Sequence, residues 1–366
     1  MKIIYLTPTT NDAGGVARVL SIKSNYLIEK YKYEVHFITQ NQNDSLSFFE
    51  FNSNAVHHNI VRKGGKLGNF LNYNKQLQIL LKSIQPDLIF ICDFGYKGFL
   101  IPFMIRTKIP LIFEVHGSIY NESQRLANTF LIKIGQQLKY KLRKFCATKF
   151  DAIVVLSNES LKEWNVKKSY VIPNPNWFES NDNLILKNKK VIAVARHSFE
   201  KGLDRLLKIW QKIINKHPDW HLEIYGNVST EVNLATLVNE LNLTKTVHFF
   251  EPVSDIKNRY LDASIYVMTS RSEGFPMVLI EAMSAGLPIV AYDCPVGPRV
   301  LIVNSENGFL IEDGNELEFI SKLEILIVDQ NLRLQMGKNA SESVKKYDID
   351  AVMKLWNGVI EQNTNR

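Results

Sequence analysis

The stretch Thr269-Ser270-Arg271-Ser272-Glu273-Gly274-Phe275-Pro276-Met277-Val278-Leu279-Ile280-Glu281-Ala282-Met283-Ser284-Ala285-Gly286-Leu287-Pro288 lies between two apolar, β-rich runs, Ile265–Met268 and Ile289–Tyr292. Strand, turn, short apolar helix and strand in that order make a βαβ crossover, which belongs to a parallel sheet. Pro276 fits the first turn of the helix, and Glu273 falls in the turn before it. Glu281 falls inside the helix amid Val278, Leu279, Ile280, Ala282 and Met283. A carboxylate in such surroundings is costly unless something partners it. One glutamate in a loop and one on a helix suit two hydroxyl-rich parts of a single ligand. A structural Glu281 bound to backbone is the alternative.

The same alternation of short β-branched runs and longer amphipathic stretches extends over the whole chain. The first half offers strands at Lys2–Leu6, Glu34–Thr39, Leu88–Ile91, Leu111–Val115 and Ala152–Leu156. The second offers Val191–Ala195, His221–Tyr225, Val247–Phe250, Ile265–Met268 and Ile289–Tyr292. Each half reads as a doubly wound α/β domain, and 366 residues suit two of them. Pro173-Asn174-Pro175-Asn176 and the Asn-rich residues after it break regular structure. The expected division is a Rossmann-like domain over 1–175, a linker over 176–189, a second Rossmann-like domain over 190–346 and a C-terminal helix over 347–366. In that helix Val352, Leu355, Trp356 and Val359 recur at helical spacing, so it is expected to pack back on the first domain. Two such domains facing across a cleft favour a ligand at the strands' carboxyl ends.

Composition narrows the function classes. With 45% hydrophobic and 22% charged residues the chain is neither disordered nor fibrous. Cys92, Cys146 and Cys294 are too scattered for a disulfide framework or a zinc site, which suits a reducing compartment. Phe99 to Ile105 falls far short of the ~18 apolar residues of a membrane span, and Ile3 to Leu6 is too short for a signal-peptide core. A cytoplasmic protein is expected. Residues 1–182 hold 23 Lys+Arg against 14 Asp+Glu, a balance of +9; the remaining 21 against 23 give −2. A basic half suggests nucleic acid, anionic lipid or an acidic substrate; a merely solvated surface is the alternative.

Further residues sit where strands hand over to helices. Gly14-Gly15 opens a helix after the first strand, where backbone N–H groups can approach an anion; a tight turn is the simpler reading. Arg196 and Lys201 flank the loop after Val191–Ala195, and two cations there can neutralise a diphosphate or be solvated. The fingerprint G-x-G-x-x-G is absent, which removes the main support for a dinucleotide. Asp348-Ile349-Asp350 has the form of a metal-holding Asp-x-Asp, but its place at a helix start suits an N-cap. Lys139, Lys141, Arg143 and Lys144 crowd one amphipathic helix, which suits an anionic membrane or plain solvation.

The spacing Glu273-x7-Glu281 within its motif resembles the signature of glycosyltransferase family 4, retaining enzymes of the GT-B fold that use nucleotide sugars. Gly14-Gly15, Glu114-Val115-His116-Gly117, Val171-Ile172-Pro173-Asn174-Pro175, Arg196 with Glu200-Lys201-Gly202, and Asp293-Cys294-Pro295-Val296-Gly297-Pro298 fall in the family's order. The resemblance implies that Arg196 and Lys201 hold the donor diphosphate, faced by Gly14 and Gly15, and that Glu281 binds the ribose. Glu273, with the backbone of Gly274, Phe275, Pro276 and Met277, would hold the transferred sugar. His116 would touch the sugar or the leaving phosphate; a satisfied structural histidine is the alternative. Glu251-Pro252 after Phe249-Phe250, and Gly226-Asn227-Val228-Ser229, depart from the family's glycine-bearing pattern.

The resemblance thus implies transfer of a sugar, expected to come from a UDP-sugar, to a saccharide or lipid-linked saccharide in cell-surface polysaccharide or lipopolysaccharide synthesis. No metal or other cofactor is expected and no nucleic-acid partner. Peripheral contact with the inner face of the membrane is expected. The rival readings are a sugar-nucleotide epimerase of the same fold and a non-catalytic sugar- or nucleotide-binding module.

Overall fold

A computed structural model describes residues 1–40, 42, 47–105, 107–119, 130–178, 185–228 and 232–364. It divides into two compact units, Met1–Pro175 with Ile349–Arg366, and Asn176–Asp348. The first unit carries β1 (Lys2–Leu6), β2 (Glu34–Gln40), β3 (Val56–Ile60), β4 (Leu88–Ile91), β5 (Leu111–Val115), β6 (Ala152–Val155) and β7 (Ser169–Val171). The second carries β8 (Lys190–Val194), β9 (His221–Tyr225), β10 (Val247–Phe250), β11 (Ile265–Met268), β12 (Ile289–Asp293) and β13 (Gly308–Glu312).

Strand order is β3-β2-β1-β4-β5-β6-β7 in one sheet and β10-β9-β8-β11-β12-β13 in the other. The described pairings are parallel, for example Ile3 opposite Val35 and Tyr266 opposite Ile289. Strands buried on both faces disfavour charge, which is why Leu88–Ile91 and Ile265–Met268 contain no charged residue. In each sheet the chain first winds one way and then restarts beside its first strand. The restarts, β1 beside β4 and β8 beside β11, leave crevices at the strands' carboxyl ends.

Three strands were not expected from sequence. β3 is a sheet edge reading Val-His-His-Asn-Ile, β7 has only three residues, and β13 begins with Gly308. β3 and β7 lack the apolar run that marks a central strand, and β13 has only the short run Phe309-Leu310-Ile311 behind its glycine.

The C-terminal helix Ile349–Thr364 buries Val352, Met353, Trp356, Val359 and Ile360 against Ile3, Phe37, Phe90 and neighbours in the first unit. Leu355, expected on that apolar face, is exposed instead. Asp348 directly precedes this helix, and Asp350 accepts the Tyr26 hydroxyl at 2.5 Å. The stretch expected as a linker does not start as one. Asn176 N–H donates to Tyr347 O at 2.7 Å, and Phe178 is buried in the second unit. Residues 179–184 of that stretch lie outside the described residues, as does Ser229.

Candidate active site

The crevice between β8 and β11 gathers most of the sequence-expected residues of the second unit. After β8 the chain runs through a 3-10 turn, Phe199–Lys201, into the helix Leu203–Ile214. Gly202 joins them at φ 61°, and a Cβ there would come within 2.0 Å of Thr269 O, so only glycine fits. After β11, Arg271 clamps this loop. Its guanidinium grips Asp204 through two bonds of 2.7 and 2.8 Å and donates to Phe199 O at 2.6 Å. Burial alone would raise the Asp204 carboxyl; the bonds and charge of Arg271 outweigh it and hold Asp204 below its ordinary range. Arg271 and Asp204 escaped the sequence reading because neither stands out until β8 and β11 are neighbours.

The clamp brings Lys201 onto Glu273. Lys201 Nζ lies 2.7 and 2.9 Å from the two carboxylate oxygens, and Ser270 Oγ donates to Glu273 Oε1 at 2.6 Å. Lys201, Glu273, Thr269, Ser270 and Ala195 share the lining of one small pocket. Glu273 is braced from behind. It bridges Val296, whose φ of 75° is rare for a β-branched residue, and a Cβ on Gly297 would strike the Glu273 Cβ at 2.6 Å. Arg196 stands at the same loop, exposed. The neighbouring His197 is buried with its ring on Phe249, and burial pulls its pKa below the usual histidine range.

Pro276 is the N-cap of the helix Met277–Ser284, one residue before the first turn expected for it. It has no N–H, so among Gly274 to Met277 the backbone donors are Gly274, Phe275 and Met277. Phe275 and Met277 are buried, Phe275 against Tyr347. Two side chains hold Glu281: Trp177 Nε1 donates to Oε1 at 2.7 Å and Tyr260 OH to Oε2 at 3.0 Å. The stretch expected as linker therefore supplies a partner to the buried glutamate.

In the first unit Gly14 caps the helix Gly15–Tyr31. Its N–H donates to Asp12 Oδ1 at 2.9 Å, so a carboxylate already sits at this helix start. Gly15 is exposed and its missing Cβ leaves open space.

At the end of β5, His116 Nε2 lies 3.3 Å from Glu114 Oε2. Glu114 is buried, and Lys23 Nζ is 2.7 Å from each of its oxygens. Among the described residues one group has metal-ligand spacing, Cys92, Glu114 and His116, with ligand atoms within 4.8 Å of one another. These residues fit a divalent ion poorly. Lys23 already covers both Glu114 oxygens, and burial pushes the Cys92 thiol well up, away from the thiolate that binds metal.

The helix Phe130–Ala147 departs from expectation. Arg143 is 4% exposed, its guanidinium over Phe94, Tyr96 and Phe99, so it is no part of a basic surface. Lys139 is half-buried over Tyr96, whereas Lys133 and Lys141 are exposed. Ile134, Leu138, Leu142 and Phe145 are exposed at helical spacing, and Phe103 from a neighbouring helix stacks on Phe145. Among the described residues no helix is long and apolar enough to cross a membrane.

Residues 13–175 match the family described as Glycosyltransferase Family 4, and residues 175–343 match Glycosyl transferases group 1. The chain is 32% identical to an uncharacterized glycosyltransferase of Haemophilus influenzae, over 98% of this chain and 99% of that one. It is 27% identical to the amylovoran biosynthesis glycosyltransferase AmsD of Erwinia amylovora, over 98% and 99%. It is 25% identical, over 100% and 99%, to an N-acetyl-D-galactosaminyltransferase of Campylobacter jejuni named for a PP-undecaprenol-linked saccharide. Among solved structures it resembles HepE of Anabaena in complex with UDP-glucose, with a TM-score of 0.78, 17% identity, and 99% and 100% of the two chains covered.

Proposed function

Because the chain belongs to glycosyltransferase family 4 and has the GT-B fold, we propose that it transfers a sugar, with retention, from a UDP-sugar to a saccharide or lipid-linked saccharide of the cell surface. The Lys201–Glu273 pair at the β8/β11 crevice carries this reading. An ammonium has three N–H donors, and Glu273 engages at most two of them, leaving one for a phosphate oxygen. Arg196, exposed at the same loop, supplies the second positive charge. As the bond from the sugar's anomeric carbon to phosphate breaks, charge grows on the leaving diphosphate, and these preorganised cations stabilise it. The anomeric carbon bonds to the acceptor oxygen, and the acceptor's proton passes to a phosphate oxygen of the leaving group.

Glu273 and the N–H groups of Gly274, Phe275 and Met277 hold the sugar. Glu281, oriented by Trp177 and Tyr260, takes the ribose. Gly14 and Gly15 face the diphosphate, and His116 touches the sugar or leaving phosphate. Two side-chain cations stand in for a metal, so transfer proceeds without one. The UDP-glucose complex of HepE supports a uridine donor, and the relatives from Erwinia and Campylobacter support a polysaccharide or lipid-linked acceptor. Membership of a transferase family argues against the epimerase and the binding-module readings.

The test is a panel of nucleotide sugars scored by thermal stabilisation and then by transfer to lipid-linked and free oligosaccharides in EDTA. The expected result is one stabilising UDP-sugar and a product that keeps the donor's anomeric configuration. Inversion, or transfer only after adding manganese or magnesium, overturns the corresponding part.

A further inference from the structure

The first unit buries a charge pair that its sheet does not need. Lys23, on the helix Gly15–Tyr31, is 0% exposed, and Glu114 on β5 is 2% exposed. Lys23 Nζ sits 2.7 Å from both Glu114 oxygens and 3.2 Å from the centroid of Trp356, with the rings of Tyr5 and Phe90 just beyond 5 Å. Apolar residues of similar volume commonly replace a buried ion pair with no loss of stability. The pair therefore calls for another explanation, and its free edge supplies one.

Glu114 Oε2 is 3.3 Å from His116 Nε2, an atom sealed from solvent and in no aligned hydrogen bond among the described residues. Burial by itself would raise the Glu114 carboxyl, but the charge of Lys23 and the contact with His116 hold it below its ordinary range. An ionised carboxylate thus faces Nε2. A lone pair there would be repelled, whereas an N–H is attracted.

We propose that Lys23 and Glu114 form a positioning device for His116, fixing a proton on Nε2 and leaving Nδ1 as the nitrogen offered to the ligand. Trp356, carried back onto the first unit by the C-terminal helix, locks Lys23 by covering its ammonium, a cation–π contact in a desolvated site. Glu114 and Lys23 act through His116 and touch no substrate. The inference rests on the proposed place of His116 beside the sugar or the leaving phosphate.

Nitrogen NMR of full-length protein labelled with 15N-histidine is expected to show His116 protonated on Nε2 at neutral pH. A neutral ring protonated on Nδ1 alone overturns the proposal, whether or not any variant folds. Lys23→Met with Glu114→Leu is expected to keep the thermal midpoint and the donor KM while kcat falls about tenfold or more. In a His116→Ala background the same two changes are expected to leave kcat within about twofold, since coupled residues are not additive. Wild-type kcat in the Lys23→Met, Glu114→Leu enzyme, or an undiminished loss in the His116→Ala background, makes the pair structural only. Unchanged kcat in His116→Ala alone removes the assignment of His116 itself, and the device with it.

Discussion

Lys201 and Glu273 are 72 residues apart in the chain, yet the ammonium contacts both oxygens of the carboxylate within 2.9 Å. A pair expected as separate contacts, one to phosphate and one to sugar, is a single electrostatic unit. Under the proposed function, a donor diphosphate shares the lysine with the glutamate.

Arg196→Ala and Lys201→Ala are each expected to weaken UDP binding by about 1.5–3 kcal/mol, roughly tenfold to a hundredfold, while uridine binding barely changes. Lys201→Ala also strands Glu273, so its loss should be the larger. Calorimetric titration of both ligands reads this. Equal losses for nucleoside and diphosphate remove these residues from a phosphate site.

Glu273→Gln and Glu281→Gln should differ in kind. The first is expected to lower kcat by about tenfold or more and to relax donor-sugar choice with UDP affinity retained. The second weakens the hold of Trp177 and Tyr260 and is expected to reduce UDP affinity itself. Steady-state kinetics with UDP as competitor separates the two outcomes, and variants indistinguishable in both would contradict the assignment.

Membrane docking is expected through the helix Phe130–Ala147, by insertion as much as by charge. Its exposed Leu138, Leu142 and Phe145 would enter the headgroup boundary while Lys133 and Lys141 meet anionic lipid. Co-sedimentation with vesicles containing phosphatidylglycerol should fall as salt rises, and Leu138→Ser with Leu142→Ser should reduce it more than Lys141→Gln does. Arg143, being buried, takes no part in this contact. Indifference to anionic vesicles at low salt would leave the stripe without this role.

Acid should loosen both units by the same rule. Glu114 and Asp204 are each held below their ordinary carboxylate range in the folded protein. A folded value below the unfolded one means that the unfolded chain binds protons first. The stabilisation is therefore complete above the unfolded values, near 4.5 and 3.8, and disappears as pH falls through the lower folded ones. Urea unfolding at stepped pH should show Asp204→Asn destabilised at pH 7 by about 1–2 kcal/mol and converging on wild type in acid. A constant difference across pH would show that the charge on Asp204 plays no part.

The residue pattern by itself determined the central strands, the helix carrying Glu281, and the order of loops at the strands' carboxyl ends. Uninterrupted apolar runs and glycine or proline at fixed offsets are local properties, readable without a partner. The edge strands β3 and β7 lack those runs, because an edge strand is less deeply covered, and β13 has only the short run Phe309-Leu310-Ile311. Tertiary structure alone decided which charges meet. Lys201 with Glu273, Arg271 with Asp204 and Lys23 with Glu114 each depend on strand or helix neighbours far apart in sequence. It also decided which faces are covered. The sequence marked Lys139, Lys141, Arg143 and Lys144 on an amphipathic helix, but only packing shows Ile134, Leu138, Leu142 and Phe145 exposed and Arg143 turned inward, since periodicity carries no information about what lies opposite.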